Sequence, residues 1–205
     1  MDEPAGHVSN NLVRGDDGLL RPQWAAANDL LRDYYDIEWG MPVRSEQGVF
    51  ERLSLEVFQS GLSWMTVLKK REAFREAFAR FVPDDVAAFD DEDVARLMND
   101  TGIIRNRRKI DATIANARAA IDLRNHRGLA EFVWDFRPQE TPTPRSIEEV
   151  PTESAESRAL AKALRSAGFV FVGPTNMYAL MSAIGIVDLH LMDSHRRATS
   201  GVWPA

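Results

Sequence analysis

Residues 97–121, "LMNDTGIIRNRRKIDATIANARAAI", carry the reading of the fold. One helical segment runs into Gly102. A second starts in basic text and continues with Ile110, Ile114, Ala117 and Ile121 on one face. Gly102 can take the positive φ that a tight reversal needs. The amides of such a turn and the N-terminus of the next helix form a ready phosphate site. Arg105, Arg107, Arg108 and Lys109 would surround it with positive charge. An ordinary helical hairpin with a solvated basic face gives the same pattern, and spacing alone does not separate the two.

The text on either side stays helical. In 48–61, Val49, Phe50, Leu53, Val57 and Phe58 form an apolar stripe that Gly61 should stop. The same period predicts a helix over 65–81, and Pro83 and the acids before Val94 read as helix starts. Helices are expected over 105–123 and, more briefly, up to 131–136. The proline-rich segment 137–151 is expected to be a loop. "PTESAESRALAKALRSAGF" opens a helix ending at Gly168, and "FVFVG" leads into a last one from Pro174 to Ala183. With no internal repeat and no useful β-alternation, the expectation is an all-α protein. Residues 1–20 read as a flexible extension and 21–205 as a single domain.

Bulk properties narrow the function classes. The 205 residues, 44% hydrophobic and 27% charged, suffice for one substantial core. No apolar run could span a bilayer and no secretory signal is recognisable, so a soluble cytoplasmic protein without membrane partners is expected. The chain has no cysteine, which excludes disulfides, thiolate nucleophiles and sulfur-ligated metals. A net charge of −6 argues against indiscriminate nucleic-acid binding, yet "RNRRK" at 105–109 and "KKR" at 69–71 concentrate positive charge locally.

Two further stretches hold candidate chemistry. "DYYDIEWG" at 33–40 crowds aromatics and acids into what is either a packed turn or one wall of a pocket for a flat ligand. "LEVFQSGLSWMTVLKKRE" at 55–72 sets Glu56 in an apolar helix and Gln59, Leu62 and Trp64 at the turn after it. Glu56 is either solvent-facing or an acceptor for an amino-bearing ligand, and Trp64 is either core or a stacking platform.

Taken together, "YYDIEWG", "LSLEVFQSGLSWMTVLKKREAFREAF", "DTGIIRNRRKIDATIANARA" and "FVFVGPTNMYALMSAIGIVDLH" resemble the type I 3-methyladenine DNA glycosylases of the helix-hairpin-helix superfamily. The resemblance runs in order from about Pro22 to Ser194. It implies an all-α, helix-hairpin-helix glycosylase fold whose hairpin, about 91–123, grips double-stranded DNA. It further implies excision of 3-methyladenine, a cationic purine flipped out of the stack. Glu56 matches the pocket glutamate. Tyr34, Trp39 and Trp64 match the aromatic walls, and Trp24 has the spacing of a further one. Family members lack the catalytic aspartate and the strand-cleaving lysine found elsewhere in the superfamily. Glu56 is therefore expected to recognise and stabilise the departing base, in monofunctional hydrolysis by a monomer. Gln59 and Leu62 would enter the duplex as the base leaves it, and Gly102, Arg105, Arg107, Arg108 and Lys109 would hold phosphate. A non-catalytic binder of alkylated DNA, or an enzyme for another alkylated purine, are the competing expectations.

The chain departs from the family at its zinc site. The four ligand positions correspond here to Pro22, Tyr35, His190 and Ser194, of which only the histidine remains a competent ligand. The expectation is a protein without a metal cofactor, whose termini are joined by packing and hydrogen bonds with Tyr35 in the space of the metal. A substitute site of His190, Asp193 and His195 is the weaker alternative.

Overall fold

The computed structural model describes residues 11–204; residues 1–10 of the expected extension lie outside the described residues. Among the described residues, ten α-helices follow a short hairpin. Residues 11–20, read from sequence as part of that extension, contribute to the hairpin: β1 (Leu12–Arg14) pairs antiparallel with β2 (Leu20–Pro22). The "RGDDG" text makes its turn, with Gly18 at φ 78° and Asp17 Oδ1 accepting from the Leu19 amide at 3.0 Å. Strands of three residues are too short to show alternation in sequence. The hairpin is pinned by buried Arg21, which donates to Asp17 at 2.7 Å and to Asp36 at 2.6 Å.

α1 (Asp29–Asp33) continues into a π-helical turn, Tyr34–Glu38, closed by the Trp39 amide on the Tyr34 carbonyl at 2.9 Å. The "DYYDIEWG" stretch is thus wound, not a bare turn. Gly40 ends it at φ 80°, where a Cβ would lie 2.4 Å from His190 Cε1. α2 (Glu46–Gln59) is capped by Ser45 and stops before Gly61, itself at φ 79°. It is the central helix, with Val49, Phe50, Leu53, Leu55, Val57 and Phe58 all buried.

The helix expected over 65–81 is broken into α3 (Trp64–Leu68) and α4 (Arg71–Ala77), and Ala79–Phe81 form a left-handed turn with φ of 47°, 54° and 56°. Packing overrides helical propensity here. The turn seats Phe81, fully buried, parallel to Phe78 at 5.6 Å.

α5 (Pro83–Ala87) starts on its proline, and α6 (Asp91–Asn99) on a capping box between Asp90 and Asp93. Residues 100–106 then turn into α7 (Arg107–Leu123), whose cap is Asn106, accepting from the Lys109 amide at 3.2 Å. α7 packs on α2, α5 and α6. α8 (Leu129–Trp134) precedes the proline-rich loop, which contains one 3-10 turn at Ile147–Glu149. α9 (Ala155–Ser166) and α10 (Pro174–Ala183) pack on each other, and α10 also lies against α2. The aromatic segment after α1 and the ends of α2 and α10 meet around one cavity.

Candidate active site

That cavity, about 310 Å³, is lined by Trp24, Tyr34, Tyr35, Trp39 and Trp64, with Glu56, Gln59, Ser182 and His190 among its polar residues. Its rings fall into two groups. Tyr34 lies 5.2 Å from Trp64, while Trp24, Tyr35 and Trp39 are mutually 5.3 to 5.7 Å apart. The winding of 34–39 explains how Tyr34 and Trp39, close in sequence, face the same space.

Glu56 is the singular group. α2 buries three polar side chains: Glu51 pairs with Arg75 at 2.7 Å, and Ser54 bonds the Phe50 carbonyl at 2.8 Å. Glu56 Oε2, by contrast, is buried without a hydrogen-bond partner, and burial pushes the carboxyl up to about 8. Trp64 Nε1 is likewise buried and unpartnered. One cavity thus offers an unspent acceptor and an unspent donor between flat apolar walls. Such buried orphans are costly unless a ligand completes them. Burial, followed by the nearby Glu56 and Glu38 charges, pushes the Tyr34 hydroxyl well above the ordinary phenol range, so it stays neutral.

The expected DNA-contacting residues divide. Gln59 is half-buried at the cavity edge, and Leu62, 42% exposed, stands beyond it on the turn after α2. Arg105, Arg107 and Arg108 are exposed around the start of α7, with Arg107 Nε on Asp111 at 2.9 Å.

Lys109 departs from its expected place. Its side chain is buried, and Nζ donates to the Phe58 carbonyl at 2.7 Å and the Ser60 carbonyl at 2.6 Å. It ties the end of α2 to α7 instead of facing solvent, because those carbonyls are left unpaired where α2 stops. Gly102 also differs. It does not have a positive φ, and its constraint is space, since a Cβ would lie 2.9 Å from Asp100 Oδ1 and 3.1 Å from Ala73 Cβ. Its amide donates to Asp100 at 2.7 Å, and Lys70 Nζ donates to the carbonyls of Thr101 and Gly102 at 3.0 and 2.9 Å. Lys70, from the "KKR" group, is a brace of the hairpin that sequence spacing did not single out.

The residues at the family's zinc positions do not fit zinc. The Pro22 side chain has no ligand atom, and Tyr35 Oη and Ser194 Oγ are hydrogen-bonded to each other at 2.5 Å. His190 shares Nδ1 with Asp188 at 2.7 Å, leaving Nε2 buried and unpartnered. Burial, opposed by the bond to Asp188, lowers the His190 imidazole below its ordinary value. Both His195 nitrogens are engaged, with the Leu20 carbonyl at 2.9 Å and Asp36 at 3.2 Å. Among the described residues no cluster of three histidine or carboxylate ligands is assembled. Asp188 was invisible in sequence as an organiser. It also accepts from the amides of His190 and Ala198, at 3.0 and 2.9 Å.

The fold and site define an all-α protein with a helical hairpin that carries exposed arginines and an aromatic cavity that holds a buried, unpartnered carboxyl. Comparison with known proteins identifies its family. The methyladenine glycosylase family profile matches residues 24–197. DNA-3-methyladenine glycosylase 1 of Escherichia coli is 46% identical over 178 residues, 85% of this chain and 95% of that protein. A crystal structure of 3-methyladenine DNA glycosylase I superimposes with a TM-score of 0.80 at 44% identity, covering 82% of this chain and 94% of the other. A variant of such an enzyme in complex with 3-methyladenine superimposes at 0.78 with 30% identity, covering 82% and 92%. The chain belongs to the methyladenine glycosylase family.

Proposed function

We propose that this chain is a DNA base-excision repair glycosylase that hydrolyses the N-glycosidic bond of 3-methyladenine. It would act on double-stranded DNA as a cytoplasmic monomer and leave an abasic site without cutting the strand. The observation that carries this reading is Glu56, a buried carboxyl with an unpartnered oxygen in an aromatic cavity. Adenine alkylated at N3 within DNA is cationic. Ring faces attract such a cation, and a carboxylate compensates its charge and accepts from its amino group. Neutral adenine gains neither the cation–π term nor the ion pair, and must be unpaired and unstacked at greater cost.

Glu56 acts as recogniser. The empty pocket favours its protonated form, and arrival of the cationic base draws the ionised form out. The alkylated base is a good leaving group, so water addition at C1′ needs little acid–base assistance, and pocket binding supplies the selectivity. Arg105 and Arg108, exposed near the start of α7, would hold phosphate while Gln59 and Leu62 enter the space the base vacates. We also propose that the protein works without zinc. Tyr35, packed against Trp24, Trp39 and His190 and bonded to Ser194, joins the two ends of the chain in place of a metal.

The test is release of free base from methylated duplex DNA, followed by chromatography. Release of 3-methyladenine with intact strands supports the reading. DNA binding without release would make the chain a non-catalytic binder, and release of other alkylated purines alone would change its substrate.

A further inference from the structure

Phe171 lies in the turn between α9 and α10, 45% exposed and with φ of 58°. Both properties are unfavourable for a phenylalanine, and left-handed backbone at a bulky residue persists only where its surroundings over-determine it. Here they do. Phe169 and Val172 on either side are buried in the core. Asn116, buried on α7, brackets Val170, accepting from its amide at 2.8 Å and donating to its carbonyl at 3.1 Å. Arg165 donates to the Val172 carbonyl at 2.8 Å. Asn176 Nδ2 donates to the Phe171 carbonyl at 2.7 Å, while its Oδ1 accepts from the Gly173 amide at 2.6 Å. The ring is held outward by a rigid frame.

A groove of about 470 Å³ runs past it, lined on one side by Gln59 at the end of α2 and Leu62 in the turn after it, and on the other by Phe171 and by Asn176 at the start of α10. It shares Glu56, Gln59 and Ala179 with the base pocket, so the two spaces are continuous. Its two exposed large apolar side chains are Leu62 and Phe171. Through Asn116, the frame of Phe171 is built on the same helix that opens with the exposed arginines.

We propose that Phe171 is a second apolar wedge. It stacks on the duplex beside the extruded nucleotide while Leu62 enters from the other turn. The occupant of the groove is therefore DNA flanking the flipped base. This rests on the glycosylase reading. A phenyl ring on a backbone already held in place costs little further backbone ordering on insertion, and base stacking on an aromatic face tolerates any sequence.

Two variants test it. Phe171→Gly removes the ring and relieves the left-handed strain, so it should fold at least as stably as the wild type. Phe171→Leu keeps apolar bulk without the stacking face. Three quantities are measured: binding of free 3-methyladenine, base release from methylated DNA as duplex and as single strand, and affinity for a duplex containing an abasic-site analogue. Phe171→Gly should bind free base as the wild type does and release it from duplex about 10-fold more slowly. It should recover most of that loss on single strands and bind the abasic duplex more weakly. Phe171→Leu should fall between. Equal rates on duplex, or equal losses on duplex and single strand, would overturn the wedge. If the wild type releases no base, the abasic duplex still decides. Weaker binding by Phe171→Gly would keep the wedge and sink the glycosylase reading, whereas unchanged binding would remove both.

Discussion

Replacing Glu56 by glutamine tests whether the pocket carboxyl is as strained as its burial implies. Unfolded, a glutamate loses its proton near 4.5; folded, burial holds the Glu56 proton up to about 8. Well below pH 4.5 both states are protonated and the shift contributes nothing. Between these values the folded state binds more protons than the unfolded, so stability falls as pH rises, and above about 8 the penalty is complete. At about 1.4 kcal/mol per pH unit, that interval amounts to about 5 kcal/mol as an upper figure. Hydration of the carboxylate through the adjoining cavity reduces it, so about 3 kcal/mol is a realistic loss. Glutamine is nearly isosteric and does not titrate. Urea denaturation of both proteins from pH 5 to pH 8 should show the variant gaining on the wild type by about 2–3.5 kcal/mol. A difference that stays constant with pH would refute the claim that Glu56 is a desolvated, unpaired acid.

Lys109→Met should lower stability by about 2 kcal/mol, read by urea denaturation, because it removes two buried hydrogen bonds at the end of α2. Arg108→Ala should leave stability unchanged, while the slope of log DNA affinity against log salt falls by about one. Tyr35→Phe should cost about 1 kcal/mol by leaving buried Ser194 Oγ without its tyrosine partner, measured by thermal unfolding. Elemental analysis of untagged protein purified without chelator should find no stoichiometric zinc, and one zinc per chain would overturn the metal-free closure.

Much of the helical order was legible because periodic apolar residues and caps sit next to each other in sequence. Ser45, Asp90 and Ser154 start helices near their expected positions, and Gly61 and Gly168, both at positive φ, follow the ends of the first and the last of these. The pocket rings were legible through the resemblance, since Tyr34, Trp39 and Trp64 stand in quotable blocks. What escaped depends on contacts remote in sequence. Lys109 reads as one of four clustered cations, yet its partners are carbonyls of Phe58 and Ser60 at the end of α2. The left-handed turn at 79–81 follows from where Phe78 and Phe81 can stack, which a helical period cannot encode. Phe171 sits in a short apolar run whose text does not show which side chains face solvent; the backbone bonds from Asn116, Arg165 and Asn176 fix that.

Single-turnover release of 3-methyladenine from methylated duplex DNA by the wild type and Glu56→Gln, assayed side by side, tests the role of the pocket carboxyl most directly. The wild type should release the base, and the variant should do so at a rate about 10- to 100-fold lower, since a charge-assisted contact to the base is lost. Equal rates for the two proteins, or no release by either, would contradict that role.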